Sequence, residues 1–408
     1  MRILLLTAGS RGDVQPLLAL ALNLQARGHQ VCLAAPPNFA GWIGACGLRF
    51  EPFGSDMQAL LEERAHLIGD KPIRLVAGVL DILQTEMAKQ HKFLLRQARS
   101  FDLVVGGGVQ LAAGLVCEGY GMPYCFVTYA PGLLPSRHHP PLTVPMQVSY
   151  PPANRMLWWF NDRLWNAPLL KMTNRYRRVL GLKPLRNFFD AIRAPGLKLV
   201  MATAPEMAPL PPDLKQVFQP GYLHYHPDQP LDADLEAFLD SEKPVVYIGF
   251  GSMSDTDPAH TSRLLSAAAR NAGVRLLLSS GWSNLGHVDS TDPDLKVIGS
   301  VAHHLLFPRL AAVIHHGGAG TTSTAAWSGV PQLVVPHMMD QYFWGERVYQ
   351  LGLGPRPLPR RALNPERLGQ TIATILQNPG YRSAAAGISQ KLQAQDGVNT
   401  LSDWLEKS

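Results

Sequence analysis

Twice along this chain, short apolar runs alternate with helix-length stretches, and no other feature limits the fold so tightly. Within the first 130 residues, strand signals at 2–7, 31–35, 49–53, 103–105 and 124–128 alternate with helical stretches at 14–26, 38–46, 83–98 and 110–118. The pattern restarts at 244, with strands at 245–250, 274–279, 296–298, 312–315 and 332–335, helices between them, and more helices from 364 to the end. Alternation of this kind predicts parallel sheets covered by helices on both faces. The expected fold class is α/β with two Rossmann-like domains, one over 1–226 and one over 227–408, joined by a linker at 227–231. Ligands of such sheets bind beyond the carboxyl ends of the strands. Two sheets that face each other therefore leave a cleft to which both rims contribute.

Composition narrows the class. Hydrophobic residues make up 46% and charged residues 17% of the 408, as in an ordered globular chain. The formal charge is +6, but residues 151–220 alone hold eleven Lys/Arg against four Asp/Glu, so the remainder is almost neutral. That distribution argues against a basic stripe for nucleic acid. Cys32, Cys46, Cys117 and Cys125 form no CxxC pair and sit among apolar neighbours, which reads as reduced core thiols in a cytoplasmic protein. The apolar run 104–117 is too short to span a bilayer and contains Gln110. Seven prolines between 131 and 152 mark an extended surface loop that opens an insert over 131–190; His138 and His139 read there as solvated. A long helix is expected at 154–180.

Three turns carry the chemistry. The first is Gly9-Ser10-Arg11-Gly12-Asp13, between a strand and a helix. It is neither GxGxxG nor a phosphate-binding GxxxxGK[ST] loop. Asp13 sits at or near the helix start and has two readings. It is a cap, or it is a general base that accepts a proton from an attacking alcohol. The second turn, His316-Gly317-Gly318-Ala319-Gly320-Thr321-Thr322, leads from a strand into a helix expected at 323–328. Its backbone N–H groups and the positive end of the helix dipole suit a diphosphate, and His316 can donate to a phosphate oxygen. Tight strand-to-helix packing is the other reading. No carboxylate or third histidine has the spacing to complete a metal site with His315 and His316. In the third turn, after Pro336, Asp340 and Gln341 are adjacent polar groups that could grip two neighbouring sugar hydroxyls or simply cap a helix.

Taken in order, GSRGDVQP at 9–16, YIGFGSM at 247–253, HHGGAGTT at 315–322 and the stretch 329–354 resemble the two-domain glycosyltransferases of GT-B architecture. The likeness is to the branch of the UDP-glycosyltransferase superfamily that holds sterol glucosyltransferases and bacterial glycosyltransferases of antibiotics and glycolipids. Residues 161–184, with NRYRR and LGLKP, are also similar to the sterol enzymes. The resemblance spans nearly the whole chain; each motif alone is weak and the ordered set is strong.

The resemblance implies inverting, metal-independent transfer of a hexose, glucose first among them, to a hydroxyl of an apolar acceptor. No cofactor is implied: the nucleotide-sugar is a co-substrate. The N-terminal half would bind the acceptor and the C-terminal half the donor, and the last helix would pack back on the N-terminal domain. Asp13 becomes the base. His316, Gly318, Ala319, Gly320 and Thr321 would hold the diphosphate, with Ser252 as a further contact. Asp340 and Gln341 would hold the sugar. Ser10, Arg11 and Gly12 would approach the donor from the facing domain, and Val301 and His303 would receive base and ribose. Two departures stand out. Plant relatives carry a Trp-x-Pro-Gln motif where this chain has Ile298-Gly299-Ser300-Val301, so UDP is favoured and dTDP stays open. Plant relatives also use a His base with an Asp partner where this turn has Asp13.

The basic insert also carries Trp158, Trp159, Phe160 and Trp165. Aromatic and basic residues on one helix suit peripheral contact with an anionic membrane, here its inner face; lining an acceptor pocket or simply packing is the competing account. Two rival functions use the same fold: epimerisation of a nucleotide-sugar, and a non-catalytic nucleotide-sugar-binding partner. The insert disfavours the first and an intact Asp13 the second.

Overall fold

The computed structural model describes residues 1–63, 72–193, 197–287 and 291–407; Ser408, the last residue of the expected C-terminal domain, lies outside them. Among the described residues the strands form two all-parallel sheets. The first has the order β3-β2-β1-β4-β5-β6-β7. Its strands are β1 (Arg2–Ala8), β2 (Gln30–Ala35), β3 (Arg49–Pro52), β4 (Leu103–Gly108), β5 (Tyr124–Thr128), β6 (Lys198–Met201) and β7 (Val217–Phe218). The second has the order β10-β9-β8-β11-β12, from β8 (Val245–Gly249), β9 (Arg275–Ser279), β10 (Leu295–Ile298), β11 (Ala312–His315) and β12 (Gln332–Val334).

The apolar runs become central strands because both faces are covered. In β1, Ile3 and Leu5 pack with Val14, Leu17 and Leu18 of the helix Arg11–Ala26. Leu4 and Leu6 point the other way, toward Leu94, Ala113 and Val116. The two-residue period of a strand separates these sets. In β8, Val246 and Ile248 face one helical layer, and Val245 and Tyr247 the other.

Each sheet reverses its winding once, between β1 and β4 and between β8 and β11. At such a reversal the neighbouring loops run to opposite faces and leave a crevice past the strand ends. The turns after β1 and β11 both sit there.

Several boundaries differ from the sequence reading. The helix expected at 14–26 begins at Arg11, and the one expected at 323–328 is Ala319–Trp327. The stretch expected at 83–98 is, up to Gln97, part of the longer helix Pro72–Gln97, and Ala98 opens a 3-10 turn. The helix expected at 110–118 is Ala113–Tyr120, because Gln90 holds the preceding loop: its amide donates to Val109 O at 2.8 Å and accepts from Leu111 N–H at 3.0 Å. The insert helix is Pro151–Val179. The strands β6 and β7 were not expected at all.

The two domains share buried surface. Ala204, Met207 and Ala208 pack into one cluster with Val334, Trp344 and Val348. The last helix, Gly397–Lys407, returns to the first domain, where Leu401 and Leu405 join the cluster of Val14 and Leu17. Burying each leucine is worth roughly 1.5–3 kcal/mol. Trp404 stacks on Phe218 at 4.8 Å, and Arg27 pairs with Asp403 and Glu406.

Candidate active site

The turn after β1 is built around a carboxylate. Ser10, not Asp13, is the N-cap, and Asp13 is the third residue of the helix, one turn inside the position expected. Its Oδ2 accepts from Ser10 N–H at 2.8 Å and from the Ser10 hydroxyl at 3.2 Å. This is the reach-back half of a capping box. Gly9 makes it possible: its φ is +139°, and a Cβ there would lie 2.2 Å from Oδ2. Among the described residues Oδ1 accepts no hydrogen bond. It lies beside Gly108, at the end of β4, where a Cβ would come within 3.1 Å. Burial pushes the Asp13 carboxyl up to about 6, and the Ser10 hydrogen bonds restrain the rise. Gly12 lies within the first turn of this helix, exposed.

The turn after β11 is held from below by His315. Its Nε2–H donates to Gln332 Oε1 at 2.9 Å, and its Nδ1 accepts from Gly317 N–H at 3.1 Å. His316 is buried between two glycines. A Cβ on Gly251 would lie 2.8 Å from its Cε1, and one on Gly318 would lie 2.5 Å from its Nε2. Its Nδ1 is buried without a hydrogen-bond partner among the described residues. Burial and three nearby histidines push its pKa down to about 3, so it is a neutral donor near pH 7. Gly318 is the N-cap of the next helix, which leaves the N–H groups of Ala319, Gly320 and Thr321 in its first turn as orphan donors. Thr322 is committed elsewhere, its hydroxyl donating to Gly318 O at 2.9 Å.

The third turn splits the expected pair. The Gln341 side chain is buried, and its Oε1 accepts from His337 N–H at 2.7 Å and Met338 N–H at 3.0 Å, so it caps its own loop. Its amide reaches Met253 Sδ at 3.2 Å. Asp340, by contrast, lines a narrow cleft between the domains. Pro131, Pro140, Leu142 and Val144 of the Pro-rich loop form one wall, and Met339 and Phe343 the other. Burial, and then the charge of Asp13, hold the Asp340 carboxyl up at about 7.

Other contacts join the rims. Arg11 donates to the Ser300 hydroxyl across the domains, and its guanidinium lies over the Trp42 ring at 4.6 Å. The Tyr222 hydroxyl lies 3.0 Å from where a Cβ on Gly320 would sit. Ser252 is partly exposed in the turn after β8. Val301 packs against the cluster around Tyr247, and the His303 ring stacks on Phe307 at 4.4 Å. Asp13 is thus near enough to Asp340 for its charge to act there, the helix that carries Asp13 touches the helix after the glycine turn, and Arg11 reaches Ser300 of the facing domain, while Gln341 and His303 spend their polar or stacking faces internally.

Two readings of the insert need correction. His139 is not solvated: it is 6% exposed and lines the cleft. Trp158 is also buried, donating to His139 O at 2.9 Å. Trp42 and Tyr222 were missed; only their positions after β2 and β7 hint at a rim.

Comparison with known proteins points one way. The model of the glycosyltransferase family 28 N-terminal domain matches residues 3–123. That of the erythromycin biosynthesis protein CIII-like C-terminal domain matches 276–401. Glycosyltransferase GtfE of Amycolatopsis orientalis is 37% identical over 368 residues, covering 87% of this chain and 85% of the relative. The sterol 3-beta-glucosyltransferase UGT80B1 of Arabidopsis thaliana is 31% identical over 426 residues, covering 98% of this chain and 66% of the relative. The crystal structure of glycosyltransferase VinC in complex with dTDP superposes with a TM-score of 0.72 at 19% identity, covering 100% of this chain and 99% of that one, a likeness of fold.

Proposed function

Because the chain belongs to the GT-B glycosyltransferases, in the group that includes the Amycolatopsis antibiotic enzymes and the sterol glucosyltransferases, we propose that it transfers a hexose with inversion from a UDP-sugar to a hydroxyl of an apolar acceptor. One observation carries the reading: a carboxylate with a free oxygen stands at one switch point and a helix N-terminus with orphan N–H donors at the other, on two helices that touch. Asp13 Oδ1 takes the acceptor proton as the acceptor oxygen bonds to the anomeric carbon. The bond from that carbon to the diphosphate breaks, and its electron pair leaves with the diphosphate. The first-turn N–H groups from Ala319 to Thr321 and a neutral His316 would stabilise the departing charge. Asp340 would meet the hexose hydroxyls, and Ser252 and Arg11 would approach the diphosphate from either side.

The apolar walls around the cleft support a sterol, lipid, phenol or polyketide as acceptor. Glucose and UDP are favoured by the family, with a dTDP-sugar as the rival donor. The test is a panel of UDP-glucose, UDP-galactose and dTDP-glucose against sterol, phenol and hydroxy-lipid acceptors, read by mass spectrometry, with the anomeric configuration of the product read by NMR. Release of nucleoside diphosphate only with acceptor supports transfer. A changed sugar without acceptor would mean epimerisation instead.

We place the chain in the cytoplasm, at the inner membrane face. Its four cysteines are free, which suits a reducing compartment. Among the described residues no helix is long and apolar enough to cross a membrane. Contact would be peripheral, through the exposed face of Pro151–Val179. There Met156, Trp159, Phe160 and Leu164 are each more than half exposed. Arg155, Arg163, Lys171, Arg175 and Arg178 share that face with no exposed acid.

A further inference from the structure

His139 stands in the cleft with one half of its ring committed and the other half waiting. Its Nδ1 is 3.1 Å from Pro140 O. A carbonyl only accepts, so Nδ1 carries the proton of that bond. Burial lowers the pKa of the ring, which is therefore neutral, and Nε2 holds a lone pair. That nitrogen is buried and has no hydrogen-bond partner among the described residues. Buried acceptors are costly to leave unmade, so an orphan on the wall of a cleft marks the place of a missing donor.

The ring is fixed from behind. Trp158 packs edge-on against it at 6.0 Å, and the Trp158 indole N–H donates to His139 O. The ring therefore cannot turn away to satisfy itself without breaking the Pro140 bond. Around it the cleft is apolar, with Pro131, Leu142 and Phe343, and Asp340 is on the same cleft. A ligand lying along these walls needs an apolar body and a hydroxyl aimed at Nε2.

We infer that His139 is a specificity-determining residue whose Nε2 accepts a hydrogen bond from a substrate hydroxyl other than the one Asp13 deprotonates. The inference rests on the reading of the cleft as a glycosyl-transfer site. The hydroxyl belongs either to the hexose of the donor or to the acceptor, and the test separates these sources.

Two substitutions divide the ring's functions. His139→Asn keeps a donor for Pro140 O and removes the Nε2 lone pair. His139→Gln carries an amide oxygen out to the Nε2 position. Binding would be measured by calorimetry and initial rates would be taken with two pairs of ligands. One pair is UDP-glucose and UDP-6-deoxyglucose; the other is a steroid or phenol diol and its analogue lacking the second hydroxyl. His139→Asn should weaken the hydroxylated member of one pair by about two- to tenfold, in Kd and KM, with kcat nearly unchanged. The loss should vanish for the deoxy member and be largely restored in His139→Gln, with the thermal midpoint of both variants near that of the parent. A loss confined to the first pair assigns the hydroxyl to the hexose, and one confined to the second assigns it to the acceptor. Equal binding of all four ligands by parent and His139→Asn overturns the inference, as does an equal loss on deoxy and hydroxy members. A parent protein that binds these ligands but transfers no sugar would overturn the transferase reading alone, since the binding comparison still decides His139.

Discussion

The carboxylate of Asp340 senses that of Asp13 across the domains: burial raises Asp340, and the charge on Asp13 raises it further, to about 7. Asp13 itself rises to about 6 through burial, with no contribution from Asp340. The asymmetry has a physical reason. Asp13 loses its proton first, while Asp340 is still neutral; Asp340 then ionises against a charge already present.

The pH profile should carry this order. Activity as kcat/KM should rise through about pH 6 as Asp13 ionises. Asp340→Asn should leave that limb in place, because Asn replaces a group that is neutral at the time. Asp13→Asn should let the Asp340 titration, followed by carbon NMR, fall below 7. An acid limb that moves by a unit in Asp340→Asn would contradict the order. Above pH 7 the ionised Asp340 repels an anionic donor. The donor KM should therefore climb in the parent and stay flat in Asp340→Asn.

Asp13→Asn should also separate function from stability. Turnover should fall by at least about a hundredfold with donor Kd nearly unchanged, since the carboxylate is asked only to take a proton. Stability should move the other way. The folded carboxyl sits near 6 against 3.8 for the free group, so the ionised form is disfavoured by folding. That cost is absent below pH 4, grows between 4 and 6, and is complete above 6, at up to roughly 3 kcal/mol for a shift of this size. Partial exposure reduces it. Denaturant unfolding at pH 8 should show Asp13→Asn to be the more stable protein, and at pH 4 the two should be equal. No gain at pH 8 would mean that the Asp13 environment is better solvated than its burial indicates.

Much of this site was readable in the residue string, and the misses have physical causes. The spacing Ser10-x-x-Asp13 is that of a capping box, so the start of the helix at Arg11 could have been read from it. The switch-point strands β1, β4, β8 and β11 are apolar runs covered on both faces, which is what makes them visible. β6 has four residues and β7 only two; β6 is a strand because β5 offers an edge and β7 because β6 does, tertiary facts that no local pattern contains. The burial of His139 depends on Trp158, nineteen residues further on and in another element. Gln341 and Asp340 look alike in sequence as polar groups after a strand. Only the backbone of residues 337–338 decides that one caps a loop and the other faces the cleft.

Gly318→Ala tests the pocket of His316. The φ of Gly318 is −64°, which alanine adopts freely, so any effect is steric. Its Cβ would lie 2.5 Å from His316 Nε2, and the imidazole would have to move. Donor affinity should drop about tenfold or more, while the thermal midpoint changes little. Because the methyl acts through the ring, the double variant with His316→Ala should bind donor no more weakly than His316→Ala alone. Additive losses would mean that the methyl blocks the diphosphate directly rather than through His316.

Membrane contact can be tested on the exposed face of the insert helix without touching the cleft. Trp159 and Phe160 pack against each other at 4.9 Å, and Arg163 lies over Trp159 at 5.5 Å, so apolar and cationic groups meet at one place on the surface. Trp159→Ser with Phe160→Ser should abolish co-sedimentation with vesicles containing a fifth phosphatidylglycerol, and should leave transfer to a water-soluble phenol unchanged. Arg155→Glu with Arg163→Glu should do the same at low salt, because each basic residue near an anionic surface contributes about 1 kcal/mol. Trp158→Ala is the contrasting variant. Trp158 is 7% exposed and its indole N–H donates to His139 O, so its loss should cost about 3–5 kcal/mol of stability and disturb the cleft without acting on lipid. Unchanged sedimentation of the Trp159 and Phe160 variant would leave that face without a membrane role.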